Sequence, residues 1–235
     1  MDKTQVNEKA GFLIKKSKKF GADNVDVLYV ENTNIDIGCR LKKIEKLERS
    51  ENSDLGLRFI KNKKQVIVSS NDLTKKSLEE LVFKASKMVG AVPKDPYCSI
   101  AKEKDLIKKI PNLEIFDSKE PTIKSLKNKV IEAESAGLNV KGVTNSEGAE
   151  VGWNKSKIYL FNSNGLNVSY QSSSYNIYAV LIAGHSTSME REYEFASSVF
   201  EKDLTKTSLV GKKAGELAVK KLNPKNRSFR LLLTA

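Results

Sequence analysis

Residues 157–170 read KIYLFNSNGLNVSY, and how this stretch turns decides what the second half of the chain can be. Apolar and polar residues alternate on both sides of Asn164-Gly165. An Asn-Gly pair between two alternating runs is the strongest short hairpin signal a sequence carries. A two-residue type I′ loop needs positive φ at both Asn164 and Gly165, and it sets a register. That register places Phe161 opposite Val168 and Tyr159 opposite Tyr170 on one face. Leu160 then opposes Ser169 and Ile158 opposes Gln171 on the other, so one face is aromatic and apolar and the other mixed.

The next stretch, residues 172–195, reads SSSYNIYAVLIAGHSTSMEREYEF and holds the single histidine, a run of serines and three alternate glutamates. Serine, histidine and carboxylates together raise a hydrolase reading. A serine hydrolase needs its nucleophile on a tight turn such as GxSxG, and no such pattern is present. Ser169 and Ser172–Ser174 fall in strand context, and His185 follows Gly184 at a strand end. One histidine and two distant cysteines do not make a zinc ligand set. Glu190, Glu192 and Glu194 project to one side of a strand, where they repel one another. A solvated hairpin is the stronger reading, and no catalytic, metal or cofactor residue is assigned.

Working outward, the period is helical from Val6 through Ala10, Leu13 and Ile14 to Phe20, with Gly21 as a stop. It then becomes two: Val25, Val27, Tyr29, Ile35, Ile37, Cys39 and Leu41, followed by Leu55, Leu57, Phe59 and the run QVIVSS. Asn71 and Asp72 offer a cap for a second helix whose stripe is Leu78, Leu81, Val82, Ala85 and Met88. Four prolines (Pro93, Pro96, Pro111, Pro121) break up the region between. The order then repeats. A helix through Ile123, Leu126, Val130, Ala133 and Gly137 precedes strands from VKGVTN onward, and a closing helix over about 205–222 stops at Asn223-Pro224. Helix, antiparallel strands, helix, twice over, predicts an α+β fold of two successive units, not alternating βαβ. The expected organisation is a first unit over 1–92, a connector over 93–120, a second unit over 121–224 and an atypical tail over 225–235.

With 41 Lys+Arg against 29 Asp+Glu the formal net charge is +12. Such a balance invites a nucleic-acid partner. The excess is nearly all scattered lysine, without a basic block, and arginine is the better reader of phosphates and bases. Nucleic acid is therefore the disfavoured alternative. No run approaches the ~18 apolar residues of a membrane span. The start is charged and amphipathic without an apolar leader core, so Cys39 and Cys98 read as reduced thiols of a cytoplasmic protein.

Two blocks resemble a known family. Residues 26–73 are similar to the N-terminal signature of the TldD/PmbA proteins, with Glu48, Ser50, Glu51, Gly56, Leu57, Arg58, Ser69, Ser70, Asn71 and Asp72 at matching positions. Residues 143–184, followed by SMEREYEFASS (188–198), resemble the central part of the PmbA (TldE) branch, through Asn145, Ser146, Asn162, Gly165, Met189, Glu190 and Arg191. The resemblance implies a non-catalytic half of a heterodimer. Its TldD-like partner would carry zinc on an HExxxH helix, and an unstructured peptide would be the substrate. It also implies a β-rich C-terminal domain after Asn223-Pro224. Only KNRSFRLLLTA follows here, which reads as a truncated frame or a fragment. The family's older label as a gyrase modulator keeps the nucleic-acid alternative in view.

Overall fold

In the computed structural model, which describes residues 2–107 and 110–222, the chain runs α1 (Lys3–Lys19), β1 (Asn24–Arg40), β2 (Lys43–Lys61), β3 (Lys64–Ser70), α2 (Lys75–Ala91) and then repeats as α3 (Ile123–Leu138), β4 (Val143–Asn162), β5 (Asn167–His185), β6 (Ser188–Ser198), α4 (Thr207–Leu222). The fold is α+β, with the strands in one sheet of order β3-β2-β1-β4-β5-β6. The tail over 225–235 lies outside the described residues.

The packing is interleaved where the chain order is successive. Among the described residues, one unit gathers 2–33, 51–107, 110–115 and 155–172; the other gathers 34–50, 116–154 and 173–222. Four strands, β1, β2, β4 and β5, therefore contribute a segment to each unit. The cause is written into their composition. Each has a polar middle, Asn32–Asn34, Ser50–Ser53, Asn154–Lys157 and Gln171–Ser174, and β1 and β4 carry buried apolar alternation on both sides of it. The apolar stretches on the two sides of these middles are buried in separate cores. Unit 1 packs α1 and α2 on Val25, Val27, Tyr29, Leu57 and Phe59. Unit 2 packs α3 and α4 on Ile35, Ile37, Val151, Trp153 and Tyr175. Each fully buried Val, Leu or Phe contributes roughly 1.5–3 kcal/mol.

The two helix pairs meet differently. In unit 1, Phe20 and Phe83 pack edge to face at 6.3 Å. In unit 2 the backbones come together through glycine: a Cβ on Gly137 would meet the carbonyl of Gly211 at 2.7 Å, and one on Gly211 would collide with the backbone of Ala133.

Several local expectations are corrected. The Asn164-Gly165 hairpin is not a type I′ turn: of that loop only Gly165 has positive φ, at 98°. Its N–H bonds the Asn162 carbonyl, and the Asn162 N–H bonds the Leu166 carbonyl, so the strands close on Asn162 and Leu166. This is a type I turn with a glycine bulge, one residue out of the expected register. The physical reason is Asn162 itself, whose Oδ1 accepts from the N–H groups of both Asn164 (2.9 Å) and Leu166 (3.0 Å). Tyr159 consequently packs on Tyr29, with ring centroids 5.9 Å apart, while Tyr170 is exposed. Type I′ geometry occurs instead at Leu41-Lys42 (φ 49° and 64°) and Asn62-Lys63 (φ 51° and 59°), so Leu41 leaves the strand alternation. α2 is capped by Thr74, whose side chain accepts from the Ser77 N–H; Asp72 supports it by accepting from the Thr74 N–H. Val89, not Met88, completes the buried stripe of that helix, and Ile123 is exposed.

Candidate functional site

The polar strand middles are where side chains with chemistry converge. In unit 1 adjacent strands β2, β1 and β4 line a cleft of about 360 Å³ with Glu31, Asn32, Glu51, Asn52, Lys155 and Lys157. Tyr29 donates to Glu31 at 3.0 Å, Ser156 donates to Asn32 at 2.6 Å, and the Lys157 ammonium stands 3.7 Å from the Glu31 carboxylate. Burial, helped by Glu31, pushes the Tyr29 hydroxyl above its usual range. Carboxylates, ammonium groups and amides alternate here on a β framework. That set matches the donors and acceptors of a polypeptide main chain and its charged termini.

Unit 2 carries a second cluster on the sheet face turned away from α3 and α4. Lys46 donates to one oxygen of Glu150 at 2.6 Å and Tyr178 donates to the other at 2.6 Å. The bond to Glu150 pushes Tyr178 up to about 12. Burial works to raise the Glu150 carboxyl, but the bonds from Lys46 and Tyr178 outweigh it and hold the group low. Burial raises Asp36, with Glu150 and Glu48 adding to the effect. Glu48 is thus the family-motif carboxylate that acts on this cluster.

The remaining family-motif positions do not converge on one point. In unit 1, Glu51 lines the cleft and Gly56 pairs across the sheet with Ser69. Arg58 grips Asp26 through its guanidinium, with Nε at 2.6 Å. Ser70 shapes the entry to α2, donating to the Asp72 carbonyl and accepting from its N–H. Asn162 and Gly165 build the hairpin described above. In unit 2, Ser50 accepts from Asn34 at 3.3 Å and Asn145 accepts from the Ser146 N–H at 2.8 Å. Ser146 is buried and accepts from the Gly148 N–H at 2.8 Å. Met189, Glu190 and Arg191 lie on β6, where Arg191 bonds Glu147 at 2.7 Å and Glu190 faces Lys221 at 3.6 Å.

His185 is exposed at the tip of the β5–β6 hairpin, paired with Ser188, while Ser173 is buried further down β5 and takes the Asp117 N–H. Cys39 and Cys98 are buried in different units. Among the described residues no three His, Cys, Asp or Glu side chains are grouped to hold a metal. No described helix is long and apolar enough to cross a membrane.

Sequence reasoning missed Glu134. This fully buried glutamate accepts from the N–H groups of Leu41 (2.8 Å) and Lys42 (2.7 Å), and so clamps the β1–β2 turn. Cys39 is 3.6 Å from the same carboxylate, and burial together with that charge pushes its thiol up to about 12. A glutamate on the apolar stripe of α3 was the available signal.

Two family profiles match in order: the PmbA/TldA metallopeptidase domain 1 over residues 25–89, and the PmbA/TldA metallopeptidase central domain over residues 115–222. The chain belongs to the PmbA/TldD family. A metalloprotease PmbA homolog from Haemophilus influenzae is 25% identical over 228 residues, which cover 96% of this chain and 50% of that protein. A PmbA homolog from Buchnera aphidicola is 25% identical over 210 residues, 89% of this chain and 47% of its own length. The chain therefore spans about half the length of the curated relatives it matches. Among solved structures, a candidate modulator of DNA gyrase from Bacteroides thetaiotaomicron superposes with a TM-score of 0.85 at 21% identity, covering 94% of this chain and 51% of that one. TldE from Thermococcus kodakarensis superposes at 0.71 with 19% identity, covering 91% and 47%. These likenesses establish the shared fold.

Proposed function

We propose that this PmbA/TldD-family chain acts as a PmbA/TldE-type, non-catalytic subunit of a cytoplasmic zinc peptidase, in which a TldD-like partner carries the metal and an unstructured peptide is processed. The observation that carries the reading is the ordered match to domain 1 and the central domain of the metallopeptidase family. The polar cleft on β2, β1 and β4 supports it, because its alternating carboxylates, ammonium groups and amides suit main-chain recognition. The experiment is to mix the purified chain with a TldD-like subunit, separate by size exclusion and measure zinc in each fraction. Co-elution, with zinc brought by the partner, is expected. Separate elution, or zinc bound one to one by this chain alone, would overturn the proposal. A DNA affinity that falls steeply with salt would favour the nucleic-acid reading instead.

A further inference from the structure

Among the described residues the two edge strands of the sheet are built differently, and β3 is the better protected. β3 has seven residues and starts among lysines. The connector latches over its start: Asp95 donates its N–H to the Lys63 carbonyl at 2.6 Å, and its carboxylate accepts from Gln65 at 3.1 Å. Short length, lysines and a covering loop are the usual means of keeping an edge from pairing. β6 has eleven residues and, among the described residues, only β5 as a neighbouring strand, so its outer row of backbone groups has no strand to bond; within that row the Arg191 carbonyl accepts from Lys221 at 3.3 Å. Its open face carries Met189, Tyr193 and Phe195, exposed at 54%, 58% and 62%, with Arg191 between the first two and bonded to Glu147. Phe195 stands across from Tyr178, itself exposed, so the apolar strip continues onto β5.

The opposite face of β6 is acidic and turns toward α4. Glu190 and Glu192 share Lys221, and Glu194 pairs with Lys213 at 2.7 Å, so three carboxylates are served by two ammonium groups. Beside this row, Ala196, Leu209 and Val210 help line a groove of about 440 Å³ between β6 and α4. A second copy of the chain is a poor occupant. Antiparallel self-pairing of β6 would set its glutamate row against the same row, and like charges across a strand pair are destabilising.

We infer that β6 is a docking edge for an extended peptide, added as a seventh strand, with apolar side chains over Met189, Tyr193 and Phe195 and basic ones at the alternate positions beside Glu190, Glu192 and Glu194. Main-chain hydrogen bonds supply the affinity and the alternating side chains the specificity. The inference deepens the reading of the chain as a subunit of a peptide-processing assembly, by giving this chain a peptide-holding role of its own.

The test uses the full chain and a fluorescein-labelled decapeptide of alternating valine and lysine, with a control of the same composition in two blocks. Anisotropy should show binding of the alternating peptide at least tenfold tighter than of the block peptide. The double variant Tyr193→Ser/Phe195→Ser should lose at least tenfold in affinity, while its circular dichroism matches the parent. Hydrogen exchange with bound peptide should show new protection over 188–198 and none over 64–70. Equal affinity for the two peptides, protection on β3, or a β6-dependent dimer in sedimentation would each overturn the inference. Failure here with intact co-elution of the TldD-like partner removes the docking edge alone. Peptide binding without co-elution removes the subunit reading and leaves the edge.

Discussion

The two units solve one construction problem with different materials. Each contains a hairpin whose two central residues lack the freedom of glycine yet hold positive φ, Asn62-Lys63 in unit 1 and Leu41-Lys42 in unit 2. Residues with a Cβ pay roughly 1–2 kcal/mol each for that region. In both units a carboxylate from elsewhere in the chain holds the turn. Asp23 accepts one bond, from the exposed Asn62 N–H at 2.6 Å. Glu134 accepts two from inside a packed helix. The helix pairs divide the same way, with aromatic packing in unit 1 and glycine contact in unit 2. Unit 2 holds the buried clamp and the glycine contact, and it also presents the open edge.

This contrast can be broken by substitution. The largest effect is expected at Gly211→Ala, whose added methyl runs into the backbone of Ala133 on α3. About 3 kcal/mol of destabilisation should appear in urea unfolding. Gly11→Ala in α1 meets nothing within 4 Å and should instead stabilise by up to about 1 kcal/mol. If the two substitutions behave alike, the glycine contact in unit 2 is not the constraint it is taken to be.

Next come the turn clamps. Glu134→Ala leaves two backbone N–H groups without their acceptor and should cost about 2 kcal/mol, against about 1 kcal/mol for Asp23→Ala, which frees one exposed group. Equal losses would erase the difference between the clamps.

Smaller in energy, but sharper in assignment, is the cluster on the open face of unit 2. Glu150→Gln should let Tyr178 titrate closer to 10 than to about 12, as read from tyrosinate absorbance. The sign of the accompanying stability change follows from the directions of the two shifts. Glu150 is held low, so its contribution is present above the ordinary carboxylate range and is lost as pH falls through its folded value. Tyr178 is held high, so its contribution is present below about 10 and is lost as pH rises toward about 12. The variant should flatten both limbs. A Tyr178 titration that does not move would show that the bond to Glu150 is absent in solution.

The sequence made the elements and most of both cores legible, because helices α1 to α4 and the apolar strand ends keep clean periods. Three things were hidden. The first half of β2, KIEKLERSENSD, is exposed nearly throughout, so no alternation marks it as strand. The division of single strands between two cores depends on which segments pack on which helices, and a one-dimensional pattern does not contain that pairing. The hairpin at Asn164-Gly165 was found, but its register was set by the Asn162 side chain competing for backbone N–H groups. The site was less legible than the fold. Family-motif residues such as Ser70, Ser146 and Asn162 turned out to shape turns and caps. Glu31 and Lys157, which meet across the cleft, are far apart in sequence and belong to no motif.

The most direct test of the functional account is a peptidase assay on an extended, unstructured peptide with a zinc-loaded TldD-like subunit, this chain, and both together. The account predicts no cleavage by this chain alone, and cleavage by the mixture that exceeds that of the partner alone. It further predicts that this gain is reduced by Tyr193→Ser/Phe195→Ser. Cleavage by this chain without a partner, or a partner whose activity is the same with and without it, would contradict the account.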